Sequence, residues 1–183
     1  MELTIIQLKQ IYPNARANNV KNFVYLFNQF EWLHKMTDDV EIAQFIGQIG
    51  KETNELLWVE ELASGEAYEG RADLGNTQKG DGKKFKGRAY IQLTGRFNYE
   101  KFTIWYNQNF ADKQDFVANP EKISEDLGLC MLASIYFWQA NKLNKPANYQ
   151  NCKRATKIVN GGYNGLNERI IYFERAKKVL QYV

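Results

Sequence analysis

Apolar residues at Ile42, Phe45 and Ile49 follow the three-and-four spacing that lines one face of a helix. The next position on that face is Glu52, in the run FIGQIGKETNELLWVEE, so an acid stands where the stripe calls for an apolar side chain. The same periodicity predicts a short helix over 3–11, stopped near Pro13, and a longer one with a broad apolar face in NNVKNFVYLFNQFEWL. Asp38 and Glu41, three apart, read as the opening pair of the helix that carries Glu52, which should end near Asn54. Further helical patterns occupy roughly 97–109, 122–141 and 150–160, and a last one turns Leu166, Ile170, Phe173, Ala176 and Leu180 inward. The second half of 122–141 is apolar on nearly every side, the mark of a central buried helix.

Between Gly65 and Gly95 the helical period disappears, and seven of the thirteen glycines crowd into the segment. This predicts loops and turns. Within it RAYIQLTGR alternates, which predicts a short strand with Tyr90, Gln92 and Thr94 on a polar face and Ala89, Ile91 and Leu93 on an apolar one. The expected fold is therefore mainly α, a single domain over 1–183 with a small glycine-rich strand and loop lobe at about 60–96. With 183 residues and 44% hydrophobic content, the chain is long enough for one sizeable core.

Composition narrows the chemistry. No basic leader followed by a long apolar run opens the sequence, and no stretch of eighteen apolar residues occurs, so the expectation is a chain made in the cytoplasm without stable membrane insertion. Cys130 and Cys152 lack the spacing of a metal site and read as free thiols. His34 is the only histidine, which excludes a cage of histidine ligands, and WLHKM places it on a helix surface. Net charge is only +3, but Lys142–Val183 carries nine basic residues against Glu168 and Glu174. Such a surface suits an anionic polymer, or is simply a solvated helix face.

The candidate chemistry centres on carboxylates. Glu52 on an apolar face must find a partner, turn to solvent, or hold its proton to higher pH than a surface glutamate, and the last outcome would make it a general acid. Glu61, with Glu60 beside it, follows nine residues later, where the chain leaves the helix for the loop. Such a pair can face a common cleft, and sugar hydrolysis needs two carboxyl groups, about 6.5–9.5 Å apart for inversion. Gln92 and Thr94 could hold a water and a sugar amide, or form an ordinary hydrogen-bonded strand surface. Trp58, Tyr68, Tyr90 and Tyr99 offer rings on which a pyranose stacks, or belong to the core. The loop GNTQKGDGKKFKGR fails the spacing of a nucleotide-binding P-loop and lacks the acids of a calcium loop.

Taken together, FIGQIGKETNELLWVEELASGEAYEGRADLGNTQKGDGKKFKGRAYIQLTGRFNY, TKIVNGG and NERIIYFERAKKVL resemble glycoside hydrolase family 19, the plant-type chitinases and phage endolysins. The resemblance implies a lysozyme-like helical fold whose lobe forms a cleft. It implies that Glu52 in GKET is the general acid and Glu61 the general base, with Glu60 its competitor. Thr94 in IQLTG matches the hydroxyl that helps hold the attacking water. Gln92, Asn98 and Asn160 match substrate-binding positions, and Arg169 matches a cleft-supporting arginine. Lys51 replaces the family's histidine, and the helical period should turn it away from Glu52.

The implied reaction is inverting cleavage of a β-1,4 bond between N-acetylated sugars, with no metal or other cofactor. EELASGEAYEGRADLGNTQ is most similar to the phage type, which implies a peptidoglycan-degrading endolysin acting as a monomer on glycan strands. It would have no separate wall-binding domain, and would reach the wall through a holin or a secretion system. Chitin oligomers are the alternative substrate, and a non-catalytic saccharide-binding module the alternative role. Nucleic-acid binding through the basic helices leaves the two glutamates unexplained.

Overall fold

The computed structural model describes residues 2–181. The helices run in the order α1 (Ile5–Ile11), α2 (Ala17–Gln29), α3 (Glu31–His34), α4 (Asp39–Glu52), α5 (Asp81–Lys84), α6 (Arg96–Asn109), α7 (Lys122–Glu125), α8 (Leu127–Ala140), α9 (Pro146–Tyr149), α10 (Cys152–Asn160) and α11 (Leu166–Leu180). Two single-turn 3-10 helices, Glu66–Tyr68 and Ala72–Leu74, precede α5. The fold is mainly α, and the β structure consists of isolated bridges, Glu60 with Arg88 and Arg88 with Leu93. Two compact units result, one of residues through Trp58 together with those from Phe137, the other Val59–Tyr136, wider than the 60–96 segment read from the glycines.

In the first unit the helix starts follow the sequence. Thr4 and Gln7 form a reciprocal capping box on α1. The Asp38 carboxylate accepts from the Val40 N–H at 2.8 Å to open α4. Glu41 does not complete that box: it turns inward and accepts from Trp138 Nε1 at 3.0 Å, and burial raises its pKa. The apolar face of α4 packs Phe45 edge-on against Trp138, with centroids 5.2 Å apart.

Buried along nearly its whole length, α4 also carries a second row, Gln44 and Gln48, which leads by steps of four to Glu52. Glu52 therefore ends a buried polar row as much as it interrupts an apolar one.

Rising positions in α4 meet falling positions in α11, Gly47 against Phe173, Gly50 against Tyr172 and Glu52 against Arg169, so the two helices run antiparallel. A Cβ at Gly47 would lie 3.0 Å from the Phe173 backbone, which cannot swing away. Gly47→Val is expected to cost about 1–3 kcal/mol by overpacking, read as a lower unfolding midpoint in urea. Along α11, Phe173, Ala176 and Leu180 are buried as the periodicity predicts, but Ile170 is 38% exposed. Arg169, at 2% exposure, takes the inward position instead, because it has hydrogen-bond acceptors there.

His34 is not on a helix surface. It is 4% exposed, stacked on Phe27 at 4.3 Å, its Nε2 against the Phe27 carbonyl and its Nδ1 accepting from the Met36 N–H. Burial lowers its pKa, so the ring is a neutral core group. The ring goes inward because it finds partners there, the Phe27 ring and carbonyl on α2 and the Met36 N–H, and α3 is only a single turn.

The second unit is built around aromatic rings. Phe102 stacks on Phe116 at 4.8 Å and Tyr106 on Phe110 at 4.6 Å, while Phe85 packs against Tyr99 at 5.2 Å. The predicted helix over 122–141 is broken at Asp126, whose backbone is extended and whose Oδ1 accepts from the N–H groups of Gly128 and Leu129 to start α8. Cys130 to Ile135 on α8 are buried, in keeping with a central helix, and both Cys130 and Cys152 are free thiols.

Arg96 grips the nearly buried Asp81 through two hydrogen bonds of 2.9 and 2.5 Å and covers the Phe85 ring. That pairing, against the opposing effect of burial, holds the Asp81 carboxyl below its usual range.

The strand predicted in RAYIQLTGR does not form. Ala89 and Gln92 take positive φ, 73° and 59°, and curl the chain into a tight loop closed by reciprocal hydrogen bonds between Arg88 and Leu93. Alternation survives only over Ile91–Thr94, where Gln92 and Thr94 are half-buried. Tyr90 joins the core at 2% exposure.

Candidate active site

Glu52 is the last residue of α4, and its carboxylate meets a guanidinium delivered by α11. Arg169 Nη2 donates to Glu52 Oε1 at 2.5 Å, Nη1 donates to Gln48 Oε1 at 2.8 Å, and Nε reaches the Asn164 carbonyl at 3.3 Å. Gln48 in turn donates to Thr156 Oγ1 on α10 at 3.3 Å. Glu52 is thus fixed through Oε1, while no protein group among the described residues donates to Oε2, and the side chain keeps 14% exposure. Of the outcomes open to an acid on this face, Glu52 has found a partner: Arg169 anchors one oxygen and the other stays disengaged.

Lys51 turns away from Glu52, as the helical period predicts. Its ammonium pairs with Glu168 at 3.0 Å and its stem lies against Gly165, where a Cβ would come within 2.4 Å of Lys51 Cε. Asn160, exposed at the end of α10, accepts from the Asn164 N–H at 3.3 Å. The segment between α10 and α11 thereby links Asn160 to Arg169, and the first unit assembles Glu52, Arg169 and Asn160 in one hydrogen-bonded set.

The second unit assembles Glu61, Gln92, Thr94 and Asn98. The Glu61 carboxylate accepts from Tyr68 Oη at 3.1 Å and from the Gly87 N–H at 3.2 Å, while its own N–H donates to the Gly87 carbonyl. Thr94 Oγ1 donates to the Gln92 carbonyl at 2.8 Å, which leaves its lone pairs to accept from a water. Asn98 Nδ2 donates to the Thr94 carbonyl at 2.7 Å from the first turn of α6. Gly87 lies between these groups: a Cβ there would come 2.5 Å from Gln92 Oε1 and 3.3 Å from Thr94 Oγ1. Gly87→Ala is therefore expected to displace the Gln92 amide and lower kcat/KM roughly tenfold, with little change in unfolding temperature.

Glu60 and Glu61 differ in their surroundings. Glu60 forms an ion pair with Lys86 at 2.7 Å, accepts from Ser124 Oγ at 2.7 Å, and lies 3.6 Å from Arg88 Nε. Burial pushes its carboxyl up, but Lys86, Ser124 and Arg88 together outweigh burial and hold it below the usual value. Glu60 is a structural anion that ties the loop to Ser124, and Glu61 is the carboxylate held beside Gln92 and Thr94.

Among the aromatic candidates, Tyr90 and Tyr99 belong to the core, Tyr68 is half-buried with its hydroxyl on Glu61, and Trp58 is 43% exposed. Gln48, Tyr68 as a donor, and Gly87 were not singled out in the sequence. The steps of four from Gln44 to Glu52 could have identified Gln48, whereas nothing local marks Gly87 among so many glycines. No group of three or more metal-ligating side chains occurs among the described residues, and no helix is long and apolar enough to cross a membrane.

The family model for chitinase class I matches residues 21–165. A Haemophilus influenzae protein described as containing a glycosyl hydrolase family 19 domain is 31% identical over 60% of this chain and 49% of its own length. Acidic endochitinase Q of Nicotiana tabacum is 28% identical over 84% of this chain and 68% of its own. The chain spans about half the length of most of the curated relatives it matches. Among solved structures, chitinase C from Streptomyces griseus superimposes with a TM-score of 0.71 at 20% identity, covering 97% of this chain and 92% of that one. The class IV chitinase of Zea mays gives 0.67 at 17%, covering 99% and 92%, so the fold is shared far beyond the sequence. The match over most of its length places this chain in glycoside hydrolase family 19.

Proposed function

We propose that the chain hydrolyses β-1,4 bonds between N-acetylated amino sugars with inversion, and that its substrate is the glycan strand of peptidoglycan. The observation that carries the reading is Glu52, held by Arg169 through one oxygen with the other disengaged at the end of a buried helix. In the proposed reaction Glu52 protonates the leaving glycosidic oxygen. Glu61, aided by Thr94, removes a proton from the water that attacks the anomeric carbon as the glycosidic bond breaks, so Glu61 ends protonated by the water's proton and Glu52 ends ionised, its own proton having gone to the leaving hydroxyl. Gln92, Asn98 and Asn160 supply amide groups for the sugar N-acetyl and hydroxyl groups. No step calls for a metal or an organic cofactor.

Support for a bacterial wall as substrate comes from the exposed Lys153, Arg154 and Lys157 of α10, which form no ion pair among the described residues and suit an anionic envelope. The second reading, cleavage of chitin oligomers, is favoured by the named endochitinases among the relatives. Mass analysis of the fragments released from peptidoglycan and from chitin oligomers, side by side, separates the two. Soluble muropeptides establish the first, chitobiose-type products alone establish the second, and binding without new reducing ends leaves a saccharide-binding module.

The base is tested separately. Glu61→Gln is expected to lower kcat at least 100-fold. Glu60→Gln, which removes only a structural anion, should act mainly on thermal stability.

A further inference from the structure

The chain directly after Glu52 has features that the reaction does not use. Asn54, Glu55 and Leu56 take positive φ in succession, 49°, 57° and 66°, although none is glycine. Such a run persists only where its surroundings over-determine it. Thr53 supplies part of the hold: its Oγ1 donates to the Ile49 carbonyl and accepts from the Leu56 N–H, and its carbonyl accepts from Leu57 and Trp58. The Glu55 N–H returns to the Gly50 carbonyl at 2.9 Å, so the turn doubles back along the end of α4.

The Glu55 side chain then goes inward. It is 5% exposed, and its carboxylate accepts from the Asn14 N–H at 2.6 Å, from Asn14 Nδ2 at 3.3 Å and from Tyr172 Oη at 3.1 Å. Tyr172 follows Arg169 by three residues on α11, and Glu55 follows Glu52 by three, so two carboxylates of one turn grip two donors on one helix face. Tyr12, packed edge-on against Tyr172 at 5.6 Å, closes the apolar side of the contact.

We propose that Glu55 is a positioning residue for the acid: by clamping the left-handed turn to Tyr172 and Asn14, it keeps the last turn of α4 in register with α11 and so fixes Glu52 on Arg169. The assignment of Glu52 as acid is taken from the proposed function, but the clamp itself is open to a test without turnover. A carboxamide at 55 puts an N–H2 group where Asn14 presents donors, and Tyr172→Phe removes the other contact without touching Glu55 itself.

The test compares Glu55→Gln and Tyr172→Phe with the wild-type protein in two readouts. Both variants are expected to lower kcat roughly tenfold with KM held within about twofold, as misplacement of a reacting group does. Hydrogen exchange at the Arg169 Nη2 hydrogens that face Glu52, assigned by their loss in Arg169→Lys, should quicken by at least about tenfold while core amides such as Phe45 keep their protection. A fall in melting temperature alone, with kcat and Arg169 exchange at wild-type values, overturns the proposal. Should Glu55→Gln fail to fold, Tyr172→Phe decides in the same way. If the wild-type protein cleaves no glycan, the catalytic reading fails, and Arg169 exchange still tells whether Glu55 holds the turn in place.

Discussion

Glu52→Gln is expected to abolish glycan cleavage, with a loss on the order of 10³-fold in kcat, while the protein stays folded and still binds its polymer. The amide oxygen of Gln can accept from Arg169 in place of Oε1, and the amide nitrogen occupies the side where no protein donor among the described residues stands. The substitution therefore removes the transferable proton and little else. Reducing-end release and co-sedimentation with insoluble peptidoglycan, measured on one preparation, check both halves. Cleavage at more than a tenth of the wild-type rate would remove Glu52 from the acid role.

Arg169→Ala carries the largest expected effect on stability. Its guanidinium is 2% exposed and bonds to Glu52, Gln48 and the Asn164 carbonyl together. Truncation leaves the mostly buried Glu52 carboxylate and the buried Gln48 amide oxygen without a donor, at a cost of about 3–5 kcal/mol. That corresponds to a fall of about 10 °C in melting temperature for a chain of this size. Arg169→Lys should recover only part of the loss, because a single ammonium cannot span three acceptors set in a fork. Calorimetry on the two variants gives the comparison, and equal melting temperatures for Arg169→Ala and the wild type would show that the buried set contributes nothing to stability.

The helical part of the fold was legible because its signals are local. Asp38 marks the start of α4, Pro13 the stop after α1, and the largely apolar run of α8 its burial. The positions that misled are those where tertiary partners overrode the period. Arg169 displaced Ile170 from the inward face because Glu52 and Gln48 accept from it, and His34 went inside because the Phe27 ring and carbonyl and the Met36 N–H receive it. RAYIQLTGR alternates like a strand, yet positive φ at Ala89 and Gln92 curls it, and neither residue type announces that.

At the site, Glu52, Glu61 and Thr94 came from motif order, and the structure adds what surrounds them. The contrast between Glu60 and Glu61 depends on Lys86, Ser124 and Tyr68, which lie up to 64 positions away.

The discontinuous make-up of the first unit has a consequence for biosynthesis. Arg169 leaves the ribosome 117 residues after Glu52, and the α11 positions that meet Gly47 and Gly50 are later still. A nascent chain that has completed α4 and all of Val59–Tyr136 still lacks the cation that pairs with Glu52. Translation order thus keeps the Glu52 centre unassembled until α11 has emerged, whereas the Glu61 centre can form as soon as α6 has emerged.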